Sequence, residues 1–474
     1  MSDGGHVWWE DAVVYEVYPR SFADADGDGV GDLPGLRSRL GYLADLGVDA
    51  IWLTPFYPSP LADGGYDVSD YCAVDPLLGS IADFDALVSD AAARQIRVII
   101  DLVPNHCSSA HPLFRAALAA APGSDERARF IFRDGRENEQ GPGGGQPPNN
   151  WPSQFGGPAW TRVTEADGRP GQWYLHLFDT SQPDWNWHHP DVPAMFEDVI
   201  RFWLDRGVAG LRVDVAHGIV KDPGLPDLTG PQPLNAPSAY RHRPELQPLF
   251  RSWRAILDSY PAEGFPGPRT AVGEVWYDVP GTLAPYLQPG GLPQVFNFQL
   301  ILAGWRAAEF RTAIDSALAV TGGSRAPWVI GNHDVARPAS RYRLDEGFTP
   351  QTVSRLIALG DRDAEAGAGA PGRPRWCCSP CPARPTSTRV RNWACPRSPT
   401  YRTTPARIPG SSAPRASSRA ATAAACPCPG PPLVPGLVSA ERARVLTRPN
   451  RGCRSLRTGA GSAWSPSSPT STPP

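Results

Sequence analysis

VAGLRVD, residues 208–214, is the stretch that most directly decides the fold, together with RVIIDLV at residues 97–103. Each is a nearly continuous apolar run with an aspartate at or near its carboxyl end. Runs of this kind are typical of strands buried on both faces of a parallel sheet. Five further runs share the apolar pattern, namely 13–18 (VVYEVY), 50–54 (AIWLT), 270–274 (TAVGE), 294–298 (QVFNF) and 327–331 (PWVIG).

Helix-like segments separate these runs, and this alternation predicts an α/β fold with a parallel sheet. Seven strands occur before about residue 365, so we predict a TIM (β/α)8 barrel that is incomplete because its eighth strand is lost. A Gly-, Pro- and Asn-rich stretch after the third strand is too long for a loop and predicts a small insertion subdomain. The predicted divisions of the chain are a first part of the barrel at 1–105, the insertion at 106–180, a second part of the barrel at 181–365 and a tail at 366–474. The predicted helices are 34–46, 81–94, 192–206, 246–258 and 306–318.

Charge divides the chain into an acidic body and a basic tail. Residues 371–474 contain sixteen Arg, one Glu, no Lys and no Asp, a net charge of +15, so residues 1–370 carry −18 of the total of −3. An acidic body argues against a nucleic-acid partner and is compatible with a neutral ligand. The tail also holds seven of the nine Cys, but it has no His and no second CxxC pair, so we do not expect a metal cluster there.

Three features of the sequence predict a location inside the cell. No run of about 18 apolar residues occurs, so no membrane span is expected. The N-terminus lacks a basic region followed by an apolar one, which argues against a secretory signal. The body contains only Cys72 and Cys107, as suits a reducing compartment. We therefore expect a cytoplasmic protein with no membrane partner.

Two carboxylates end neighbouring predicted strands. Asp214 follows Arg212 by two residues, and strand alternation puts both side chains on one face, where the guanidinium can keep the carboxylate ionised. Glu274 ends the next strand beside Trp276, an apolar neighbour that we expect to favour the protonated form, as in a proton donor. Glycoside hydrolysis uses such a pair of carboxyl groups, about 5–5.5 Å apart when configuration is retained.

His333 and Asp334 end a later predicted strand and could hydrogen-bond sugar hydroxyls. Each carboxylate taken alone is more often a structural or surface group. Their combination at successive strand ends is what indicates a catalytic site, because active sites of such barrels lie at the carboxyl ends of the strands.

Several motifs occur along the chain in a fixed order. Four principal ones are DLVPNH (101–106), GLRVDVAH (210–217), GEVW (273–276) and GNHD (331–334), and three others are DGGYDVSDY (63–71), WPSQFGGPAW (151–160) and QPDWNW (182–187). Together they resemble the motifs of the α-amylase family of glycoside hydrolases, in its α-glucosidase and oligo-1,6-glucosidase branch, over about residues 7–360.

The resemblance implies a role for each matching residue. Asp214 would be the nucleophile, Glu274 the general acid/base and Asp334 the transition-state stabiliser. The residues implied in substrate binding are His106, His333 and Arg212, which would contact the glucose or the nucleophile, Tyr66, which would stack under the ring, and Asp63, which would recognise the hydroxyls of a terminal glucose in an exo-acting pocket. Asp101 and Asn105 look structural.

DADGDGVGD, residues 24–32, alternates carboxylates with glycines and could wrap a hard cation. It is not an EF-hand, because Gly35 stands where that motif needs Glu. It resembles the family's single calcium loop, with Asp24, Asp26, Asp28 and Asp32 and the Val30 carbonyl as implied ligands. The alternative is an acidic, solvated turn. No organic cofactor is expected.

The function implied is an α-glucosidase that removes terminal non-reducing α-linked glucose from small oligosaccharides with retention, acting as a monomer. In this branch, a Val directly after the nucleophile, here Val215, favours activity on α-1,6 over α-1,4 linkages. The alternatives are a trehalose synthase-like transglycosylase or isomerase on the same scaffold and an inactive truncated product. A non-enzymatic, transporter-associated subunit is disfavoured because all three carboxylates are present.

The tail suggests a shifted reading frame. With suitable codons read from the third base, WCCSPCP (376–382) becomes VLLSLP, TSTRVRNWACPRS (386–398) becomes LYQGEELGLPEV, and AATAAACPCP (420–429) becomes RDGCRVPLPW. These resemble what the family carries next, including its eighth strand. We therefore predict a frameshift between about 361 and 369, followed by a disordered tail. Such a chain would lack the closing strand and a substrate-clamping Arg opposite Asp63, and would be poorly stable and weakly active or inactive.

Overall fold

The computed structural model describes residues 7–138, 141–230, 237–276, 283–321, 327–335, 337–338 and 387–390. Strands and helices alternate through the body, as predicted. The strands are β1 Val14–Val17, β2 Ala50–Leu53, β3 Arg97–Leu102, β4 Phe132–Arg133, β5 Arg136–Asn138, β6 Gly141–Gln146, β7 Trp160–Thr164, β8 Pro170–Leu175, β9 Gly210–Val213, β10 Thr270–Gly273, β11 Gln294–Val295 and β12 Ser387–Val390.

The helices cover the five predicted segments and add short ones in the connections. The first predicted helix is split in two, at Leu33–Ser38 and Leu40–Asp45. In chain order the helices are α1 Leu33–Ser38, α2 Leu40–Asp45, α3 Ile81–Ala92, α4 Pro112–Ala119, α5 Asp125–Ala128, α6 Asp191–Leu204, α7 Leu246–Asp258, α8 Gln299–Leu302 and α9 Ala307–Thr321. Among the described residues, no helix is both long and apolar enough to cross a membrane.

One sheet joins the body in the order β11-β10-β9-β3-β2-β1-β12. The neighbours from β11 to β1 run parallel, so the fold is an incomplete TIM barrel, as the sequence predicts. The seventh predicted strand, 327–331, was wrong in extent, since among the described residues it has bridges at Trp328 and Val329 and no strand, the Trp328 bridge being to Asn297. Its neighbour β11 is two residues long and offers little backbone for pairing.

The tail contributes one strand to this sheet. β12 pairs with β1 in antiparallel register, with Ser387 opposite Val17 and Val390 opposite Val14. The closing strand of a complete barrel runs parallel to its neighbours, so β12 does not replace it, and the described residues contain no other candidate. The rest of the predicted tail, including the segments around 376–382 and 420–429 for which we predict a shifted frame, lies outside the described residues.

Side chains alternate between the two faces of the parallel sheet. In β3, Val98 and Ile100 belong to the core that packs with the helices, whereas Ile99 belongs to a smaller inner core with Trp52. The same alternation turns Glu16, Trp52, Asp101 and Arg212 inward. Polar residues that would be costly in the outer core therefore collect inside the barrel, at the carboxyl ends of the strands.

Local capping fixes where two helices begin. Ser80 and Asp83 form a capping box at α3, in which each side chain bonds the other's backbone N–H. The Asp32 carboxylate accepts from the Gly35 N–H at 2.5 Å and so caps α1. Asp32 ends the connection from β1, and Ser80 ends the longer connection from β2, so the caps fix where each connection passes into a helix.

A small antiparallel sheet, β4-β8-β7, and the β5–β6 hairpin lie in the stretch assigned to the insertion. Arg127, almost fully buried, ties α5 to this sheet through a two-pronged ion pair with Glu165, whose shortest N–O distance is 2.6 Å. Trp151 and Trp160 form part of a separate apolar core there. The boundaries 106 and 180 stay predictions.

Candidate active site

Arg212, on β9, lies at the centre of the inward polar residues. Its Nη1 is 2.7 Å from Oδ1 of Asp101 and 2.6 Å from Oδ1 of Asp214, and its Nη2 is 2.8 Å from Oε2 of Glu274. All four side chains are buried. One guanidinium therefore joins three carboxyl groups that come from β3, from the end of β9 and from the end of β10.

Asp101 ties this cluster to the wall of the barrel. Its Oδ2 accepts from Trp52 Nε1 at 2.9 Å and from the Tyr66 hydroxyl at 3.2 Å. Burial raises the pKa of Asp101 to about 6, even though Arg212 favours the charged form. Asp101 thus orients Arg212 and holds the Tyr66 hydroxyl, which agrees with the structural role expected of it.

Glu274 contradicts the reasoning that we applied to it from the sequence. Trp276 is no apolar neighbour, because its indole N–H donates to Oε1 of Glu274 at 3.0 Å. The Val215 backbone N–H donates to Oε2, also at 3.0 Å. Burial disfavours the charged carboxylate, but Arg212 and these two donors outweigh it and lower the pKa of Glu274 to about 2.

Asp214 shows the opposite shift. Burial first, and then the neighbouring carboxylates Glu274 and Asp101, raise the pKa of Asp214 well above its usual range despite Arg212. The two opposite shifts arise from the contact of both carboxyls with Arg212 and with each other. Two such buried groups titrate as a unit.

Val215 connects the two carboxyls through the backbone. It has a φ of +45°, which is rare for a β-branched residue and costs conformational energy. This conformation directs its N–H to Glu274 while Asp214 remains on the strand end. Strained backbone of this kind is concentrated at functional sites.

His333 and Asp334 lie on the other side of the cluster. His333 Nδ1 is 2.7 Å from Glu16 and its Nε2 is 3.3 Å from Asp334. Burial alone would lower its pKa, but the Asp334 and Glu16 charges raise it to about 9, so His333 is an imidazolium at neutral pH. Its ring stacks on Tyr66 with centroids 5.1 Å apart. Asp334 keeps 40% of its side chain exposed and so faces open solvent.

Asp63 and His106 meet through Gln182. The Gln182 amide donates to Oδ2 of Asp63 at 2.8 Å and its nitrogen lies 3.0 Å from Nε2 of His106. Partial burial raises the pKa of Asp63, although this hydrogen bond opposes the shift. The structure thus brings together all eight residues that we named for catalysis and substrate binding.

Sequence reasoning missed three participants. Glu16 lies in VVYEVY, and its position in an apolar strand was the available signal. Gln182 lies within QPDWNW, which we noted as a motif without assigning roles. Lys221 had no signal, yet its buried Nζ lies 2.8 Å from Asp184 and 2.6 Å from Oδ1 of Asn105.

The acidic loop is separate from this cluster. One oxygen from each of Asp24, Asp26 and Asp28 lies within 4.8 Å of the others. Gly27 and Gly29 have φ of +85° and +94°, a conformation that suits glycine and lets both N–H groups bond Asp24. Asp32 stands apart, since its oxygens accept from the Gly35 and Ala25 N–H groups.

Comparison with known proteins bears on these motifs. The alpha amylase catalytic domain matches residues 16–359. Maltase 1 from Drosophila virilis is 39% identical over 354 residues, which are 71% of this chain and 54% of that protein. Oligo-1,6-glucosidase from Parageobacillus thermoglucosidasius is 34% identical over 371 residues, 74% of this chain and 63% of that protein. The chain thus spans less than two thirds of the length of these relatives.

Solved structures agree with the sequence match. Trehalulose synthase MutB from Pseudomonas mesoacidophila MX-45 superimposes with a TM-score of 0.64 at 36% identity, over 73% of this chain and 61% of that one. The match over nearly three quarters of the chain, the barrel and the carboxylates at its strand ends lead to one assignment. The chain belongs to the alpha-amylase family of glycoside hydrolases, in its α-glucosidase and oligo-1,6-glucosidase branch.

Proposed function

We propose that this site is that of an exo-acting, retaining α-glucosidase, with Asp214 as nucleophile, Glu274 as general acid/base and Asp334 as stabiliser of the transition state. The observation that carries the proposal is the buried pair of Asp214 and Glu274, which share the guanidinium of Arg212. A retaining mechanism needs two such carboxyl groups, one to attack the anomeric carbon and one to donate a proton.

The first half-reaction forms a bond between Asp214 and the anomeric carbon and breaks the glycosidic bond, while Glu274 gives its proton to the leaving oxygen. In the second half, Glu274 takes a proton from water, the water oxygen attacks the same carbon, and Asp214 is released. In the resting protein the pKa of Asp214 is raised and that of Glu274 is lowered, so a bound substrate has to reverse these directions for the two groups to take these roles.

The neighbouring residues fit a single terminal sugar. The Tyr66 ring, which stacks on His333 through one face, would offer its other face to a sugar, and Asp63, His106 and Asp334 offer charged or polar atoms nearby. Tyr66 is fixed by Asp101, so its face is preorganised. Such a combination of one ring platform and several hydrogen-bonding groups suits glucose with its ring of hydroxyls.

The names of the relatives support α-linked glucose as the substrate, since they include maltases and oligo-1,6-glucosidases. Val215 leans toward the α-1,6 linkage. The test is hydrolysis of maltose and isomaltose with detection of the released glucose anomer. Release of α-glucose supports the proposal, and release of β-glucose overturns the retaining mechanism.

A second candidate is an isomerase or transglycosylase on the same scaffold, which the likeness to trehalulose synthase favours. The two functions differ in whether water or a sugar hydroxyl attacks the glucosyl–Asp214 intermediate. Product analysis separates them: maltose gives glucose alone, or trehalose and longer oligomers. Sucrose gives glucose and fructose, or an isomeric disaccharide.

We also propose that residues 366–474 are read in a shifted frame, so that the chain as printed is weakly active or inactive. The family match ends at residue 359, just before the region where we expect the shift. Two measurements test this: the nucleotide sequence around codons 355–380, and assays of the printed chain beside a chain with the frame restored. Equal activity of the two chains overturns the proposal.

We further propose a calcium ion on the acidic loop, since hard carboxylate oxygens from Asp24, Asp26 and Asp28 converge there. The Val30 carbonyl would complete the set with Asp32, although the present contacts of Asp32 are to backbone N–H groups. Such an ion would tie the loop after β1 to the start of α1.

A cytoplasmic location is proposed as well, supported by the free thiols of Cys72 and Cys107. The monomeric state stays a prediction.

A further inference from the structure

The connection after β2 contains a closed loop, residues 58–69, which we call the Asp63 loop. The Pro58 carbonyl accepts from both the N–H and the hydroxyl of Ser69, each at 2.8 Å, and these two bonds join the ends of the loop. The loop carries Asp63 and Tyr66, two of the residues assigned to substrate binding. Its internal contacts therefore decide where the sugar-binding groups lie.

Two residues of the Asp63 loop have left-handed backbone. Leu61 has a φ of +64°, which costs conformational energy for a residue with a side chain. Gly65 has a φ of +108°, a value at which any other residue would be strained. Strained backbone persists only where the surrounding contacts over-determine it. We therefore looked for the groups that hold residues 61–63.

The side chains of Ser59 and Asp67 hold this stretch. The Leu61 N–H donates to the Ser59 hydroxyl oxygen at 3.0 Å. The next two N–H groups, of Ala62 and Asp63, donate to Oδ2 and Oδ1 of Asp67, both at 3.0 Å. The Ser59 hydroxyl in turn donates to Oδ1 of Asp67 at 2.8 Å. Because these three N–H groups belong to no helix or strand, the two side chains take the place of secondary structure.

Asp63 is fixed through its main chain and its side chain separately. Asp67 binds its N–H, and its carbonyl accepts from the Tyr66 N–H at 2.9 Å. Its carboxylate accepts from Gln182 at 2.8 Å. Gln182 thus orients the carboxylate, whereas Asp67 determines where the main chain that carries it lies.

We propose that Asp67 is a positioning residue that, by binding the main chain of Ala62 and Asp63, sets where the Asp63 carboxylate meets a terminal sugar. Asp67 is fully buried, so it acts through Asp63 and does not reach the sugar itself. The role in sugar recognition rests on the proposed function. The anchoring of the Asp63 loop is a property of the resting protein.

The first test is hydrogen–deuterium exchange of the full chain, read by mass spectrometry. Asp67→Asn replaces one acceptor oxygen by an NH2 group, which faces the N–H of Ala62 or of Asp63 in either orientation of the amide. Exchange in peptides from residues 58–69 should rise about 10- to 100-fold, as expected when a hydrogen bond to a charged group is lost. Peptides from β3 and β9 should exchange as in the wild type, because the change is local.

Ser59→Ala is a milder variant that gives the same test if Asp67→Asn does not fold. It removes the hydroxyl that links Leu61 to Asp67 but keeps the carboxylate, so we expect a smaller rise in the same peptides. Asp70→Asn is the matched control. Asp70 lies in the same sequence motif but is exposed and binds the Cys72 N–H at 2.8 Å, so exchange in the Asp63 loop should not change.

The second test is a double-mutant cycle between Asp67 and Asp63 in the frame-restored chain, with maltose as substrate. Asp67→Asn alone should lower kcat/KM by about 10- to 100-fold, the range that corresponds to one hydrogen bond to a charged group. In an Asp63→Asn background it should cause little further loss, because its effect passes through Asp63. A merely structural role would lower kcat/KM by the same factor in both backgrounds. Ser59→Ala can replace Asp67→Asn in the cycle.

Unchanged exchange of residues 58–69 in both Asp67→Asn and Ser59→Ala overturns the anchoring, as does an equal rise throughout the barrel. Equal factors in the two backgrounds of the cycle overturn the role in sugar recognition. If the frame-restored wild type releases no glucose from maltose, the proposed function fails, whereas the exchange measurement still decides whether Asp67 holds the Asp63 loop.

Discussion

Nη1 of Arg212 donates to Oδ1 of Asp214 across 2.6 Å, with both residues buried at the end of the same strand. The same nitrogen also reaches Asp101, and Nη2 reaches Glu274. Removing this one cation would leave three buried carboxyl groups that repel one another. The stability of the barrel interior and the ionisation of the proposed nucleophile therefore depend on a single guanidinium.

Arg212→Met should destabilise the protein by about 3–5 kcal/mol, the usual cost of breaking a buried ion pair on one side. Urea unfolding at pH 7 measures this. Arg37→Met is the matched control: Arg37 pairs with Asp90 at 2.6 Å, but both side chains are well exposed, and such pairs contribute about 0–1 kcal/mol. A similar loss in both variants would contradict the assigned role of Arg212.

Glu274→Gln and Asp214→Asn should differ in their response to the leaving group. In a frame-restored chain, Glu274→Gln should lose about 100- to 10,000-fold in kcat with maltose, because no acid protonates the leaving oxygen. With dinitrophenyl α-glucoside, whose leaving group needs no proton, the first step should be largely spared. Asp214→Asn should lose activity on both substrates. Equal losses for both variants on both substrates would reject the division of roles. Asp222→Asn, which changes a carboxylate that pairs with Arg243 instead of Arg212, serves as the control.

The barrel and the inward carboxylates could be predicted because both follow from local patterns. Apolar runs identify the buried strands, and a period of two places Arg212 beside Asp214. Partners distant in sequence could not be predicted in this way. Glu16 and His333 are 317 positions apart, and nothing in either segment indicates their hydrogen bond.

Trp276 shows a second limit of sequence reasoning. A tryptophan beside a carboxylate can bury it or donate to it, and only the ring orientation decides between the two. Here the indole N–H points at Glu274, so Trp276 stabilises the charge that we expected it to oppose. The predicted length of the strand at 327–331 was wrong because strand pairing also depends on the neighbouring strand, and β11 has only two residues.

Glu16→Gln should lower the pKa of His333 from about 9, since the amide removes one of the two charges that favour the imidazolium. Because the folded pKa exceeds the ordinary 6.5, His333 contributes stability that is fully present below pH 6.5 and is lost as the pH rises through about 9. An NMR titration of His333 and urea unfolding from pH 6 to 10 measure both effects. Glu263→Gln, at an exposed position, should change neither; an unchanged His333 titration in Glu16→Gln would contradict the contact.

Acid should destabilise the protein through its buried neutral histidines. Burial lowers the pKa of His106 to about 3 and of His217 to about 4. The unfolded chain therefore binds more protons between these values and 6.5, and stability should fall as the pH drops through that range. Urea midpoints from pH 7 to pH 4 measure the slope. His217→Gln should make it shallower, and an identical slope would exclude His217 as a contributor.

Calcium should raise the melting temperature if Asp24, Asp26 and Asp28 bind it, because an ion that binds only the folded state stabilises by about 2.7 kcal/mol at a hundredfold excess over Kd. Thermal unfolding with calcium or with a chelator measures this, and Asp24→Asn should abolish the difference. A second triad, Asp125, His189 and Asp191, is equally compact and provides the control. There Nη2 of Arg129 lies 2.6 Å from both carboxylates and occupies the place of a cation. Asp125→Asn should therefore leave the calcium effect intact, and a calcium shift that survives in Asp24→Asn but is lost in Asp125→Asn would move the ion to the second triad.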